Sequence, residues 1–276
     1  MLFAGVVVLY NPDLEVFDNI NSYYHELDRL YVCDNSEQPN EEIVTKIKAL
    51  PNVEYIGFGE NRGVSYALNT GLNLSGNCKF LLTMDQDSKF EKGMMKKYKN
   101  TLIKNYIDDN NVVMYAVNYN DLKSTSDEVQ IVDHAITSGS VLNKRIVEAI
   151  GGLEEKLFID YVDYELCYRA ALYGYKTLYF TGIYLKHHLG NPLKRTIFGI
   201  TIASLNHNKV RKYYIARNII YIIKKYPSRR VQYFKTLIKH IAKVILLEEE
   251  KFERIKYMTR GIMDGIAGKM GKLKGT

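Results

Sequence analysis

The first part of this chain repeats one unit: a short apolar run, a polar turn, then an amphipathic stretch. Phe3–Tyr10 is apolar throughout and stops at Asn11-Pro12. Continuous rather than alternating hydrophobicity marks a strand covered on both faces. Asp13 opens a predicted helix from Leu14 to about Leu27. Arg29–Cys33 predicts a second strand, ending in Asp34-Asn35-Ser36. Glu41–Leu50 reads as a helix closed by Pro51, and Val53–Ile56 as a third strand. Gly59-Glu60-Asn61-Arg62-Gly63 is a turn before a helix over Val64–Leu74, and Phe80–Thr83 is a fourth strand. Such alternation predicts parallel βαβ units in a doubly wound α/β sheet. Ligands of these sheets bind beyond the carboxyl ends of the strands. Asn11, Asp34, Asn61 and the pair Asp85/Asp87 all follow strands and are expected to gather at one rim.

The pattern then loosens. Met94–Tyr106 predicts a helix, Val112–Val117 a strand, and Gln130–Ile136 a strand running into Thr137-Ser138-Gly139-Ser140. Asn143–Ile150 is a predicted helix stopped by Gly151-Gly152. Asp163 stands at the N-cap position of a further helix that continues over Leu166–Tyr173. Thr177–Phe180 and Ile183–Lys186 are two short predicted strands, the second followed by His187-His188-Leu189-Gly190. From Thr196 the character changes. Lys209–Lys225 and Val231–Leu247 predict amphipathic helices either side of Pro227. Glu248-Glu249-Glu250 reads as a solvated run, and a last helix spans Phe252 to about Ile266. The expected division is a catalytic α/β domain over 1–195 and a basic helical extension over 196–276.

Charge follows that division. Residues 1–190 carry 18 Lys+Arg and 26 Asp+Glu, a net of −8, whereas residues 191–276 carry 20 and 5, a net of +15. An acidic front part argues against nucleic acid as a partner, and no nucleic-acid motif is present. The basic extension suits an anionic membrane surface, and its apolar stripe suits that surface, packing onto the catalytic domain, or a subunit contact in a homo-oligomer. No apolar run approaches the roughly 20 residues that span a bilayer, and no basic leader precedes the first strand. The three cysteines, Cys33, Cys78 and Cys167, are odd in number and fit no zinc spacing. They read as reduced thiols, so the expected location is cytoplasmic, with the basic extension holding the chain peripherally at the inner face of the membrane.

Asp85 and Asp87 are the chemistry-bearing pair. In an extended segment residues i and i+2 point the same way, and two converging carboxylates call for a cation between them. Several further motifs accompany the pair in order: Val8-Leu9-Tyr10-Asn11-Pro12, Val32-Cys33-Asp34-Asn35-Ser36, Asn61-Arg62-Gly63 through Gly71, Ser138-Gly139-Ser140, Phe158-Ile159-Asp160-Tyr161-Val162-Asp163, and His187 to Gly190. Together they resemble the family-two inverting glycosyltransferases of the GT-A fold, within them the bacterial rhamnosyltransferases of polysaccharide assembly. The resemblance covers residues 3 to about 220.

It implies a Rossmann-like, mostly parallel central sheet with helices on both faces, plus the C-terminal helical extension. It implies a nucleotide-sugar donor, dTDP-rhamnose or a UDP-sugar, a lipid-linked glycan acceptor, and Mn²⁺ or Mg²⁺ on the leaving diphosphate. Asp87 is the implied direct metal ligand, with Asp85 beside it and His187 completing the site. Gln86, Tyr10, Asn11, Pro12 and Asp34 would line the donor pocket, Asp34 accepting from the imide N–H that uracil and thymine share. Arg62 would offset diphosphate charge at a helix start, and Arg211 and Arg217 would lie near the phosphates or acceptor. Asp163 is the implied general base, with Asp160 its rival, because the family's usual Glu is Val162 here. The alternatives are a UDP-hexose-dependent galactosyl- or glucosyltransferase and a non-catalytic sugar-nucleotide or glycan-binding module. Retention of Asp87 together with Asp163 argues against the module.

Overall fold

The computed structural model describes residues 1–119, 127–187, 193–197 and 200–274. The chain divides into two compact units, Met1–Glu154 with Val162–His188, and Glu155–Tyr161 with Leu189–Thr276. A single cut at residue 195 therefore misses one feature: Glu155–Tyr161, which precedes a helix of the first unit, groups with the second.

In the first unit, β1 (Phe3–Leu9), β2 (Arg29–Asp34), β3 (Val53–Gly57) and β4 (Phe80–Asp85) lie parallel in the order β3-β2-β1-β4. Helices α1 (Val16–Asn21), α2 (Glu41–Lys48) and α3 (Val64–Leu74) make the connections. Asn40 caps α2, its side chain accepting from the Glu42 and Ile43 amides. All seven residues of β1 are buried, as an uninterrupted apolar run requires. Phe3, Val7 and Leu9 join a core containing Ile20, Ile43 and Tyr98. Val6, of opposite parity, meets α3, where a Cβ on Gly71 would fall 2.5 Å from the Val6 Cβ. Gly71 is thus a close-approach glycine, and both faces of β1 are covered.

Beyond β4 come β5 (Ser88–Phe90), α4 (Met94–Asp108), β6 (Val112–Asn118), β7 (Val129–Val132), β8 (Ser140–Asn143), α5 (Lys144–Ala149), α6 (Val162–Leu172) and β9 (Lys176–His187). β8 inserts antiparallel between β4 and β6, and β9 runs parallel to β6. β5 and β7 pair antiparallel with the two halves of β9. Four residues are too few to show a period, so β8 escapes sequence reading. The two short strands expected before His187 are one strand, whose register against β6 shifts between Val117 and Asn118. The first helix is shorter than expected, a single-turn 3₁₀ segment at Tyr24–Glu26 replacing its end. The strand expected to reach Ile136 stops at Val132.

The second unit contains a hairpin of β10 (Leu193–Ile197) and β11 (Ile200–Ser204), not anticipated from sequence, and helices α7 (Lys209–Lys225), α8 (Arg230–Leu247) and α9 (Lys251–Ala267). Gly261 and Gly265, one turn apart on α9, let its backbone touch that of α7. A Cβ on Gly261 would lie 2.3 Å from the Tyr213 carbonyl oxygen, and one on Gly265 would lie 2.8 Å from that of Arg217. Glu248 does not belong to a solvated run. It is 1% exposed, and its carboxylate accepts from Lys212 Nζ at 2.5 Å, Arg254 Nη1 at 2.6 Å and Ser204 Oγ. Burial pushes its pKa up, but these three donors outweigh burial and hold it below the usual range. Among the described residues, no helix is long and apolar enough to cross a membrane.

Candidate active site

Strand register sets the rim. Leu9 pairs with Asp34, Asp34 with Gly57, and Val8 with Asp85, so the carboxyl ends of the four parallel strands finish level. Side chains then stitch the following loops together. The Asn11 amide donates to Ser36 Oγ at 2.7 Å, and the Arg62 amide donates to Asn35 Oδ1 at 2.9 Å. Gln86 spans the gap from β4 to β1: its Oε1 accepts from the Tyr10 amide at 2.8 Å and its Nε2 donates to the Tyr10 carbonyl at 3.3 Å. Asn19 Nδ2 donates to the Gln86 carbonyl at 2.8 Å. The Gln86 carboxamide therefore acts as a brace between two strand ends.

Asp34 is 1% exposed. Its Oδ1 accepts from the Ser36 amide and its Oδ2 from the Tyr55 hydroxyl, each at 2.8 Å. Each oxygen keeps a second lone pair, but the carboxylate is first of all a tie between the end of β2, the loop after it and β3. Tyr10 is 46% exposed at the rim, whereas Pro12 is buried beneath it. The Arg62 guanidinium stacks 3.8 Å from the Tyr66 ring centroid, with Glu60 at 3.9 Å. It is poised on the surface at the start of α3, next to Gly63, whose φ of +90° suits glycine.

Asp85 closes β4, half-buried, and its amide donates to Ser138 Oγ at 3.2 Å. Gln86 and Asp87 form a turn, not the extended segment expected, and Asp87 is exposed. Ser88 Oγ lies 3.4 Å from Asp87 Oδ1 and 2.8 Å from Ser138 Oγ. The Tyr23 phenol is buried, and burial followed by the Asp85 charge pushes its pKa up. In β5, Ser88 is the backbone partner of His187, which brings the His187 backbone beside the turn. His188 to Gly190 lie outside the described residues.

Asp163 is the second residue of α6 rather than its N-cap, because the helix starts at Val162. Its Oδ1 accepts from the Tyr164 amide at 2.9 Å. Tyr119 and Tyr164 have phenols pushed upward by burial and then by the Asp163 charge. The carboxylate thus stands among aromatic side chains, half-buried.

In the second unit, the segment before α6 is strained and clamped. Phe158, Asp160 and Tyr161 have φ of 67°, 63° and 65°, a left-handed backbone that costs a non-glycine residue roughly 1 kcal/mol. Asn218 Nδ2 donates to the carbonyls of Leu157, Ile159 and Asp160 at 3.0, 2.7 and 2.9 Å. Phe158 stacks on Tyr214 with ring centroids 4.9 Å apart. Arg211 grips the Asp160 carboxylate through Nε at 3.2 Å and Nη2 at 3.0 Å. Arg217, expected near a donor, is 0% exposed and donates to the carbonyls of Gly271 and Leu157 at 2.5 and 2.8 Å. It is a structural clamp. Arg211, expected near the phosphates or acceptor, and Asp160, the rival base, thus form an ion pair with each other.

Residues 14–150 match the model of glycosyl transferase family 2. The chain belongs to that family. The glycosyltransferase is 27% identical to the dTDP-rhamnosyl transferase RfbF of Shigella flexneri, covering 97% of this chain and 96% of that protein. Its fold is that of solved GT-A enzymes. S. aureus TarS 1-349 in complex with UDP-GlcNAc matches at a TM-score of 0.51 and 13% identity, over 98% of this chain and 73% of that one. GalNAc-T7 with UDP, GalNAc and Mn²⁺ matches at 0.58 and 12%, over 68% of this chain and 44% of that one. This chain therefore spans under half the length of the latter.

Hard oxygen donors are what the β4–β5 turn of the glycosyltransferase offers: the Asp85 and Asp87 carboxylates, with Ser88 and Ser138 hydroxyls behind them. No group of three His, Cys, Asp or Glu able to enclose a metal occurs among the described residues. Two carboxylates fit a Mg²⁺ or Mn²⁺ that takes its remaining ligands from phosphate and water. Sequence reading missed Glu165 and Arg169. Arg169 joins Glu165, at 2.8 Å, to the Gly152 carbonyl, at 2.7 Å, and so anchors α6. Their spacing of four on a helix was the available signal.

Proposed function

We propose that this glycosyltransferase moves L-rhamnose from dTDP-β-L-rhamnose onto a hydroxyl of a lipid-linked glycan, with inversion to an α-linkage, at the inner face of the cell membrane. The likeness to a dTDP-rhamnosyl transferase along nearly the whole of both chains carries this reading. The acceptor oxygen attacks the anomeric carbon, the bond from that carbon to the diphosphate oxygen breaks, dTDP leaves, and Asp163 takes the acceptor proton. Asp163 suits the role because it is half-buried at the start of α6 and lies among aromatic side chains on which a sugar ring can stack. Asp85 and Asp87 would hold Mg²⁺ or Mn²⁺, with His187 as a further ligand supported by its backbone pairing to Ser88. That ion, when bound, supplies positive charge to the departing diphosphate. Tyr10, Asn11 and Pro12 edge the base pocket over Asp34, whose remaining lone pairs are what a base imide N–H would meet. Arg62, on the rim at the start of α3, adds charge toward the diphosphate.

The test is a panel of dTDP- and UDP-sugars with Mn²⁺, read by donor turnover and by the shift in melting temperature. Turnover of dTDP-β-L-rhamnose above all others is expected, and its abolition by EDTA. Equal or better use of a UDP-hexose overturns the donor assignment, and activity untouched by EDTA overturns the metal role of Asp85 and Asp87.

A further inference from the structure

Helix α8 is apolar on two sides. Tyr233, Leu237 and Val244 are buried inside the second unit. Val231, Phe234, Ile238 and Ile245 are 69%, 59%, 52% and 50% exposed. These four recur at intervals of three, four and seven residues, so at 3.6 residues per turn they form one stripe along the outer side. A stripe of four large apolar side chains over a whole helix is more than the scattered exposure of an ordinary surface. Arg230, Lys235 and Lys239 are exposed as well, and α8 contains no Asp or Glu over Arg230–Leu247.

We infer that the outer face of α8 is the surface by which this enzyme lies on an anionic bilayer, with Val231, Phe234, Ile238 and Ile245 entering the acyl boundary and Arg230, Lys235 and Lys239 on the headgroups. The charge pattern selects this occupant. Two copies of the chain packed through α8 would bring their uncompensated cations together, whereas anionic lipid neutralises them. The helix lies in the interface and does not cross it, because it is amphipathic and its other apolar side is already buried. The inference deepens the membrane-surface reading of the proposed function and rests on it.

The experiment sediments the full chain with vesicles of phosphatidylcholine alone and of equal parts phosphatidylcholine and phosphatidylglycerol. The double variant Phe234→Gln/Ile238→Gln and the variant Lys235→Gln/Lys239→Gln are run alongside, with oligomeric state and transfer to a water-soluble acceptor measured for each. Binding to the anionic vesicles alone is expected. Loss of at least about tenfold is expected in the apolar variant, and about fivefold per lysine in the other, with melting temperature and soluble transfer unchanged in both. If the wild-type chain ignores anionic vesicles, the membrane reading itself fails. If it binds and both variants bind equally well, that reading stands and α8 is not the surface. If the wild-type chain is a dimer that the apolar variant converts to monomer, a second copy is the occupant and the inference is overturned.

Discussion

The β4–β5 turn and the segment Leu157–Tyr161 each present a carboxylate motif, and the structure treats them in opposite ways. At the turn, Asp87 is exposed, and the side-chain effort goes into bracing the backbone through Gln86, Ser88 and Ser138. The segment contains three left-handed residues, Asn218 binds three of its carbonyls, and the Asp160 carboxylate pairs with Arg211. The exposed Asp87 suits the cation and diphosphate proposed for this turn. A segment that must hold a fixed path spends its polar groups on itself. By this comparison Asp160 is a strut, which supports the proposal above that Asp163, three residues on, is the base.

The sharpest way to break the comparison is to exchange the two. Asp163→Asn is expected to lower kcat by roughly 10²–10⁴-fold with little change in donor KM, the range of a lost general base. Asp160→Asn is expected to cost stability and much less turnover, because it removes a guanidinium partner and leaves the base in place. Steady-state kinetics with a melting curve for each variant decides it. Near-normal turnover in Asp163→Asn with inactivity in a folded Asp160→Asn reverses the assignment.

A second variant sharpens the strain argument. Asn218→Ala removes one donor shared by three carbonyls on a backbone that is costly to hold. A loss of about 2–4 kcal/mol in unfolding free energy is expected, read by denaturant titration. Hydrogen exchange should rise first in residues 157–161 and α7, with β1 to β4 unaffected. A variant as stable as wild type would mean the left-handed segment holds itself.

The parallel half of the sheet was legible because β1 and β4 carry continuous apolar runs and all four strands are separated by strong turn signals. Level strand ends then followed from topology, so the rim around Asn11, Asp34 and Asp85 was foreseen as a place. What lay outside the reach of sequence was where polar side chains spend their hydrogen bonds. Arg217 and Glu248 look like surface residues in a basic, polar stretch, and only tertiary contacts turn them into a buried clamp and a buried acceptor. Asp163 was legible as a helix-start acid, but its exact position waited on where α6 begins. The β10–β11 hairpin and β8 were too short to carry a period.

The smallest expected effect concerns acid, and it separates the two units. His207 and His240 are pushed down to about 4, in each case first by burial and then by neighbouring cations, Arg211 for His207 and Lys212 for His240. An unfolded histidine titrates near 6.5, so between that pH and about 4 the unfolded chain binds more protons than the folded one. Stability is therefore complete above pH 6.5 and falls as the pH drops through the window. Half-buried rings are partly screened by water, which leaves roughly 1–2 kcal/mol for each. Glu248, held below its usual value, extends the loss below about pH 4.5 as its carboxylate is protonated and its contacts with Lys212 and Arg254 weaken. Hydrogen exchange at pH 5 against pH 7 should loosen α7 to α9 before the β1–β4 core, and His207→Gln with His240→Gln should flatten the dependence between pH 6.5 and 4.5. Equal loosening of both units would show that the acid response comes from the sheet as much as from the helices, and would remove the contrast between a braced rim and a clamped helical unit.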